Sequence, residues 1–347
     1  MASNKDYPLV SICTPTFNRR PFIPYLIKCF EHQTYPKNKI EWIIIDDGTD
    51  KVEDLFLPLI GKTYDNQSFE LKYFKYDTKM TLGKKRNLAH KKCNGEIILY
   101  MDDDDYYPPE RIIHAVESLQ NNPRAMCAGS SIMYIYFKHI NEMYKFGPYG
   151  PNHSTAATFA FRKELLKDTR YDDEACLAEE KTFLKNYTIP FVQLDPLKSI
   201  LVFSHIHNSF DKKTLLKDGI NKYVNKSNLS VDEIVKEKDI YNFFTKDIEQ
   251  LLEIYEPGKP EFKPDVLNQM NEIKEKRELL IKEHNKQIRE QHSKNNQINT
   301  KTTNEMTLLI NELLLENTQL KDKIKYLEDK IKKIISQKIE EIKINKS

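Results

Sequence analysis

Glycine is scarce in this chain, nine residues in 347, and no glycine cluster follows the first apolar run. A glycine-rich phosphate loop is therefore absent there, with Pro15-Thr16-Phe17-Asn18 in its place. The five cysteines (Cys13, Cys29, Cys93, Cys127, Cys176) are scattered, with no CxxC pair and no histidine spacing typical of zinc sites. That excludes a disulfide framework and a zinc ribbon, and it fits reduced thiols in a cytoplasmic setting. No apolar run is long enough to span a bilayer, and residues 1–8 lack the apolar core of a signal peptide. Neither secretion nor a membrane span is expected, so the sequon Asn186-Tyr187-Thr188 should go unused. Excess charge is lacking too: 54 Lys+Arg against 52 Asp+Glu leave a formal +2. No nucleic acid footprint follows from that balance, and any electrostatic argument has to be local.

What is present is an alternation of short apolar strands and amphipathic helices up to about residue 207, which predicts a mostly parallel α/β sheet covered on both faces. Strands are expected at residues 9–14, 41–46, 71–75, 96–101, 125–129, 132–137 and 200–204, with helices at 22–33, 82–92, 110–120 and 179–186. The aromatic-rich stretch 132–149 reads as antiparallel, which makes the sheet mixed. Beyond residue 207 the chain turns Lys/Glu-rich and helical, with a capping box at Ser230-Val231-Asp232-Glu233 and a helix from Pro264 past Ile288. The polar interval 291–304 reads as a linker or frayed helix. Domains are accordingly expected at 1–210 (α/β), 211–290 (helical extension) and 305–347 (tail).

The tail carries the clearest periodicity. Ile310, Asn317, Ile324 and Ile331 fall at a, and Leu313, Leu320, Leu327 and Ile334 at d, four heptads without a slip. Ile at a with Leu at d favours two parallel strands, and Asn317 selects that register. Glu316 would face Lys321 of a partner helix and Lys323 would face Glu328. A coiled coil and a parallel homodimer are expected. The alternatives are a helix packed on its own domain and a tether to another assembly.

The densest chemistry lies at Glu96-Ile97-Ile98-Leu99-Tyr100-Met101 followed by Asp102-Asp103-Asp104-Asp105. In an open α/β sheet ligands bind outside the C-terminal ends of strands, and hard carboxylate oxygens suit Mg²⁺ or Mn²⁺ completed by substrate phosphates. The competing reading is a solvated acidic turn capping the helix that Pro108 and Pro109 begin. Three further stretches belong to the same half. Cys13-Thr14-Pro15-Thr16-Phe17-Asn18-Arg19-Arg20 leads from a strand into a helix, a ready anion site or a solvated surface. Asp46-Asp47-Gly48-Thr49-Asp50 ends the second strand, offering acceptors for a base or ribose or merely an Asx turn. Thr81-Leu82-Gly83-Lys84-Lys85-Arg86-Asn87 opens a helix with positive charge, of which Lys85 is expected to be ordinary helix surface.

Together, Pro15-Thr16-Phe17-Asn18-Arg19, Ile45-Asp46-Asp47-Gly48, Gly83-Lys84-Lys85-Arg86-Asn87 and Met101-Asp102-Asp103-Asp104-Asp105 resemble the successive motifs of family 2 glycosyltransferases, over about residues 6–207. The resemblance implies a GT-A fold, a Rossmann-like mixed sheet with flanking helices, here followed by the helical extension and coiled coil. It implies inverting transfer of a sugar from a nucleotide-sugar donor, with uridine diphosphate (UDP) the favoured carrier, to the hydroxyl of a glycan, protein or small-molecule acceptor, with Mn²⁺ or Mg²⁺. Carried onto this chain, Pro15, Thr16, Asn18 and Arg19 would line the nucleotide pocket, and Asp46 with Asp47 would bind the base near Lys84 and Arg86. In the DxD motif Asp102 would lie toward the ribose and Asp104 toward the metal, while Asp103 and Asp105 remain open to a one-residue slide. Glu179-Glu180 matches the acidic pair that supplies the general base, with Glu180 the first choice and Glu179 its rival. In Ser204-His205-Ile206-His207-Asn208-Ser209, His207 is the first choice as metal ligand and His205 the second. His153 and Thr155, and with them Asp105, would contact the sugar or acceptor, the first two in a segment where Ala156 and Ala157 replace the family's usual glycines. The rival readings are an inactive GT-A domain acting as a scaffold and a sugar-phosphate nucleotidyltransferase. The missing glycine loop speaks against the second.

Overall fold

In the computed structural model residues 7–344 are described, apart from Ala178, Ser209 and Asp218; the side chains of residues 292–302 and from 340 onward are outside the description. The strands are β1 (Val10–Thr16), β2 (Ile40–Asp46), β3 (Thr63–Tyr64), β4 (Gln67–Ser68), β5 (Glu70–Lys75), β6 (Ile97–Tyr100), β7 (Cys127–Gly129), β8 (Met133–Phe137), β9 (Glu142–Phe146), β10 (Ala160–Arg162), β11 (Phe191–Gln193), β12 (Leu201–Ser204) and β13 (Val224–Lys226). The main sheet has the order β11-β7-β10-β6-β1-β2-β5. Its centre is parallel, with β1 between β2 and β6, whereas β10 runs antiparallel between β6 and β7. A second sheet, β12-β8-β9-β13, holds the antiparallel aromatic hairpin, so the sheet structure is mixed.

Successive side chains on the central strands enter two different cores. Val10, Ile12, Trp42, Ile44 and Leu99 pack on one face, and Cys13, Ile43, Ile45, Ile98 and Tyr100 on the other. Burial on both faces explains why these strands are nearly continuous apolar runs. The helices α1 (Ile23–Glu31), α2 (Glu53–Phe56), α3 (Leu82–Lys92), α4 (Arg111–Asn121) and α5 (Glu180–Phe183) connect them. The five cysteines are free and buried.

Residues 208–272 belong to the same compact unit as the α/β core. The compact unit extends to Glu272, and the remaining residues, 273–347, form a second unit. Short helices α6 (Val231–Ile234), α7 (Lys238–Asn242) and α8 (Ile248–Ile254) pack onto the α/β core. Phe243 stacks on Tyr25 of α1 at 3.6 Å, and Phe244 stacks on Phe203 of β12 at 3.9 Å. The capping box at Ser230 and Glu233 is formed. The last helix, α9 (Pro264–Ile344), runs through 291–304, where the sequence suggested a linker. That interval contains no proline or glycine to interrupt it. The heptad side chains of the tail are exposed in the single chain, Leu313 at 56% and Leu320 at 53%. No helix among the described residues is long and apolar enough to cross a membrane.

Candidate active site

The parallel register brings the ends of β1, β2 and β6 to one edge of the sheet, with Thr16 opposite Asp46 and Cys13 opposite Tyr100. The acidic run leaves β6 at this edge and meets two buried arginines. Arg86, on the inner face of α3, has its guanidinium carbon 4.1 Å from the centre of the Tyr100 ring. Its Nη2 is 3.3 Å from Asp102 Oδ2, and its Nε donates to Glu179 Oε1 at 3.1 Å. Arg19 reaches Asp104 Oδ2 at 3.2 Å and Asp103 Oδ1 at 3.5 Å. The repulsion expected of four adjacent acids is therefore offset by guanidinium groups of the chain itself. Burial opposes ionisation of Asp104, yet Arg19 and His205 hold its carboxyl well below the usual range. Burial pushes Asp103 up to about 7 against the pull of Arg19.

The acidic pair at α5 is divided in the same way. Glu179 is buried and committed to Arg86. Glu180 is half-buried without such a partner; burial, and then the neighbouring Glu179, push its carboxyl up to about 7. A carboxylate tuned to that value can take a proton near neutral pH. After α5, Lys185, Asn186 and Tyr187 all take left-handed φ values of 49°, 55° and 62°. Three such non-glycine residues in a row are a local strain that packing must hold. They set Tyr187 against the His153 ring, 5.1 Å between centroids.

Other sequence-derived candidates occupy a range of positions. Asn18, at φ 52°, donates to Thr49 Oγ1 and accepts from the Asp50 N–H. Asp46 is fully buried, and its oxygens accept from the N–H groups of Gly48 and Val52 and from the Tyr73 hydroxyl. Asp47 accepts from Met80 N and pairs with Lys85 at 2.9 Å. Pro15 and Thr16 are buried at the end of β1. Asp105 accepts from the Phe203 N–H at 3.2 Å and so ties the acidic run to β12. His205, not His207, meets the acidic cluster: its Nε2 is 3.3 Å from Asp104 Oδ2, and the His207 N–H donates to its Nδ1. The reason is local: the Asn208 side chain accepts from the His205 backbone N–H, and its Nδ2 lies 2.8 Å from the ring Nε2. His153 lies beside a cavity of about 460 Å³ lined by Ser131, Tyr149, Gly150, Gln193 and Tyr223, whereas Thr155 is not among its lining residues. A larger cavity, about 1080 Å³, lies at the opposite end of the strands around Leu9, Glu96 and Arg162, away from these groups.

Lys84 and Lys85 are reversed relative to expectation. Lys84 is exposed, whereas Lys85 is buried against Asp47 and the Phe17 ring. The inner face of α3 carries Gly83, Lys85, Arg86, Ala89 and His90, a mostly polar set that apolar periodicity does not mark. Lys263 is also buried at this edge, among Arg19, Asp103, Asp104 and Lys85, and no motif pointed to it.

Among the described residues no group of three or more His, Cys, Asp or Glu side chains converges as a ready metal site. Two donors do meet. Neighbouring ligands of an octahedral ion bound at about 2.1 Å lie about 3 Å apart. Asp104 Oδ2 and His205 Nε2, 3.3 Å apart, have that spacing, but Asn208 Nδ2 lies 2.8 Å from the same nitrogen and the His207 N–H donates to Nδ1, so the ring would have to exchange these contacts to ligate an ion through Nε2.

In an open α/β sheet ligands bind at the C-terminal edge of the strands, where these acids and buried arginines gather. Residues 11–176 match the family model described as glycosyl transferase family 2, and the mixed sheet with its flanking helices is a GT-A-like arrangement. A poly(ribitol-phosphate) β-N-acetylglucosaminyltransferase of Staphylococcus aureus, TarS, is 30% identical over 132 residues, 38% of this chain and 21% of the relative. An uncharacterized glycosyltransferase of Haemophilus influenzae is 27% identical over 116 residues, 33% of this chain and 36% of the relative. The chain thus spans well under half the length of these relatives. Among solved structures, TarS of S. aureus in complex with UDP-GlcNAc is similar at 22% identity and a TM-score of 0.42, over 56% of this chain and 58% of that one. The mannosyltransferase PcManGT from Pyrobaculum calidifontis in complex with GDP-Man and Mn²⁺ gives 17% and 0.45, over 57% of each chain.

Proposed function

We propose that the chain is a glycosyltransferase that moves a sugar from a nucleoside-diphosphate donor, UDP being the favoured carrier, to an acceptor hydroxyl by inverting displacement. The observation that carries this reading is the split of the acidic pair: Glu179 is held by Arg86, and Glu180, pushed up to about 7, is left to act as base. In the step, Glu180 takes the proton of the acceptor hydroxyl as its oxygen bonds to the anomeric carbon, and the sugar–phosphate bond breaks with its electron pair leaving on the diphosphate. Arg19 supplies fixed positive charge on the leaving-group side, where negative charge develops. Arg86 orients Glu179 and Asp102, making its ion pairs with them and not with the base. Thr16 and Asn18 shape the nucleotide side, with Asp46 and Asp47 bracing the loop they face. The cavity beside His153, walled by Tyr149 and Tyr223, suits the acceptor. Asp104 with His205 would hold Mn²⁺ or Mg²⁺, diphosphate oxygens completing the shell. Such an ion, when bound, supplies Lewis-acid neutralisation of the leaving diphosphate.

The test is hydrolysis and transfer across a panel of nucleotide sugars with Mn²⁺, with Mg²⁺ and with a chelator. Metal-dependent release of the nucleoside diphosphate is expected. The absence of both turnover and nucleotide binding in every condition would instead favour a scaffold.

A further inference from the structure

Residues 255–263 lie outside the segment that matches the family, yet they cover its nucleotide edge. The Tyr255 hydroxyl donates to Asp50 Oδ2 at 2.8 Å. The Pro257 carbonyl accepts from Asn18 Nδ2 at 2.9 Å, and the Gly258 carbonyl from Arg19 Nη1 at 3.5 Å. A Cβ at Gly258 would lie 2.6 Å from His207 Nδ1 and 3.0 Å from the Asn18 carbonyl oxygen, so only glycine permits this approach. Immediately past the segment, Asp265 pairs with Lys79. Gln269 accepts the N–H groups of Cys176 and Leu177 at 2.7 and 2.9 Å. The segment is thus clamped on one side to the loops bearing Asn18 and Asp50, and on the other to the loop leading into Glu179.

At its end stands Lys263, 6% exposed, with Arg19, Lys85, Asp103 and Asp104 as charged neighbours. Burying an ammonium costs several kcal/mol, and two cations beside it add to that cost. The cost is offset by Asp103 and Asp104 and would be offset further by an anionic ligand. Two more observations point the same way. The ring of His207 is 1% exposed, and neither of its nitrogens has a hydrogen-bond partner. α9 begins at Pro264, which sets the positive end of a long helix next to Lys263.

We propose that residues 255–263 form a strap that closes the donor site and that Lys263 binds the diphosphate of the donor. The strap makes the region beyond the family segment part of the binding site. This assignment rests on the glycosyltransferase reading. The ammonium contributes to a diphosphate and not to a nucleoside, so its removal has a specific signature.

The experiment is calorimetric titration of the full chain with UDP, GDP, CDP and ADP, followed by the bound diphosphate and its parent nucleoside on variants. Lys263→Met is expected to weaken the diphosphate about tenfold or more, the worth of one charged hydrogen bond, and to leave the nucleoside within about twofold. Lys263→Arg should retain most of the affinity. Gly258→Ala, which keeps every charge, should weaken the diphosphate by displacing the strap, and melting curves check that the variants stay folded. Unchanged diphosphate affinity in Lys263→Met, or equal losses for diphosphate and nucleoside, would overturn the assignment. If the wild type binds none of the four, the glycosyltransferase reading fails first and the strap assignment falls with it.

Discussion

Arg86 donates through Nε to Glu179 Oε1 at 3.1 Å, and the same guanidinium faces Asp102, so one buried cation joins two acidic segments that lie far apart in the sequence. Removing it would leave one largely buried and one buried carboxylate uncompensated. Arg86→Met is expected to cost about 3–5 kcal/mol of stability, as for other broken buried ion pairs. Arg86→Lys keeps the charge but not the fork, and should lose less stability while still losing transfer. Urea unfolding of the three proteins measures this. A midpoint for Arg86→Met equal to that of the wild type would show that the pairing carries no energy.

Glu180 separates activity from stability by pH. Its carboxyl titrates near 7 in the folded chain against an ordinary value of 4.5, so the folded state holds the proton more tightly than the unfolded one. The stability contributed by this group is fully present below about 4.5 and is lost as pH rises through about 7. Glu180→Gln cannot ionise. It should therefore gain stability over the wild type between pH 5 and pH 8, by an amount on the order of 2 kcal/mol. In the same variant transfer should be abolished while nucleotide binding is spared. Wild-type transfer should rise with pH through about 7. Unimpaired transfer by Glu180→Gln would remove it as the base.

How far the sequence reveals this molecule depends on which physical signal each part carries. β1, β2 and β6 are legible because burial on both faces demands continuous apolar runs. β10, β11 and β13, three residues each, are too short to show a period and are held by their neighbours in the sheets. The acidic run and Arg86 were visible as residue types at strand and helix ends, but their pairing is a tertiary fact. Lys85 and Lys84 differ only in which face of α3 they occupy, and that face is recognised by Gly83 and Ala89, not by apolar residues. The choice between His205 and His207 depends on the Asn208 side chain. Lys263 and its strap have no motif at all, since backbone carbonyls and a single glycine make most of the contacts.

Gly83 tests whether α3 positions the base. Its N–H donates to the Ala175 carbonyl at 2.9 Å, and a Cβ there would come within 2.0 Å of the Asp172 carbonyl oxygen. Backbone cannot yield as a flexible side chain does, so Gly83→Ala must push the loop that leads into Glu179 and Glu180. A cost of about 1–3 kcal/mol is expected from overpacking. Because the displaced loop serves the base more than the nucleotide, kcat should fall more than KM rises. Steady-state kinetics with thermal melting distinguish this from general loss of structure, in which the active fraction alone would fall.

The tail makes its own prediction. Leu313, Leu320, Ile324 and Leu327 are 56, 53, 57 and 46% exposed in the single chain, a heptad-spaced apolar stripe along one helix. A stripe that repeats every seven residues is the seam of a coiled coil, and Asn317 at an a position favours two parallel strands in one register. We therefore expect a dimer by light scattering that becomes a monomer in Leu313→Glu/Leu320→Glu. Asn317→Ile should raise the melting temperature of the tail while loosening the choice of oligomer, because the polar a-position contact selects register at a cost in stability. Removing residues 305–347 should likewise yield a monomer. A dimer that survives both changes would place the interface outside the stripe, and the heptads would then need a different partner.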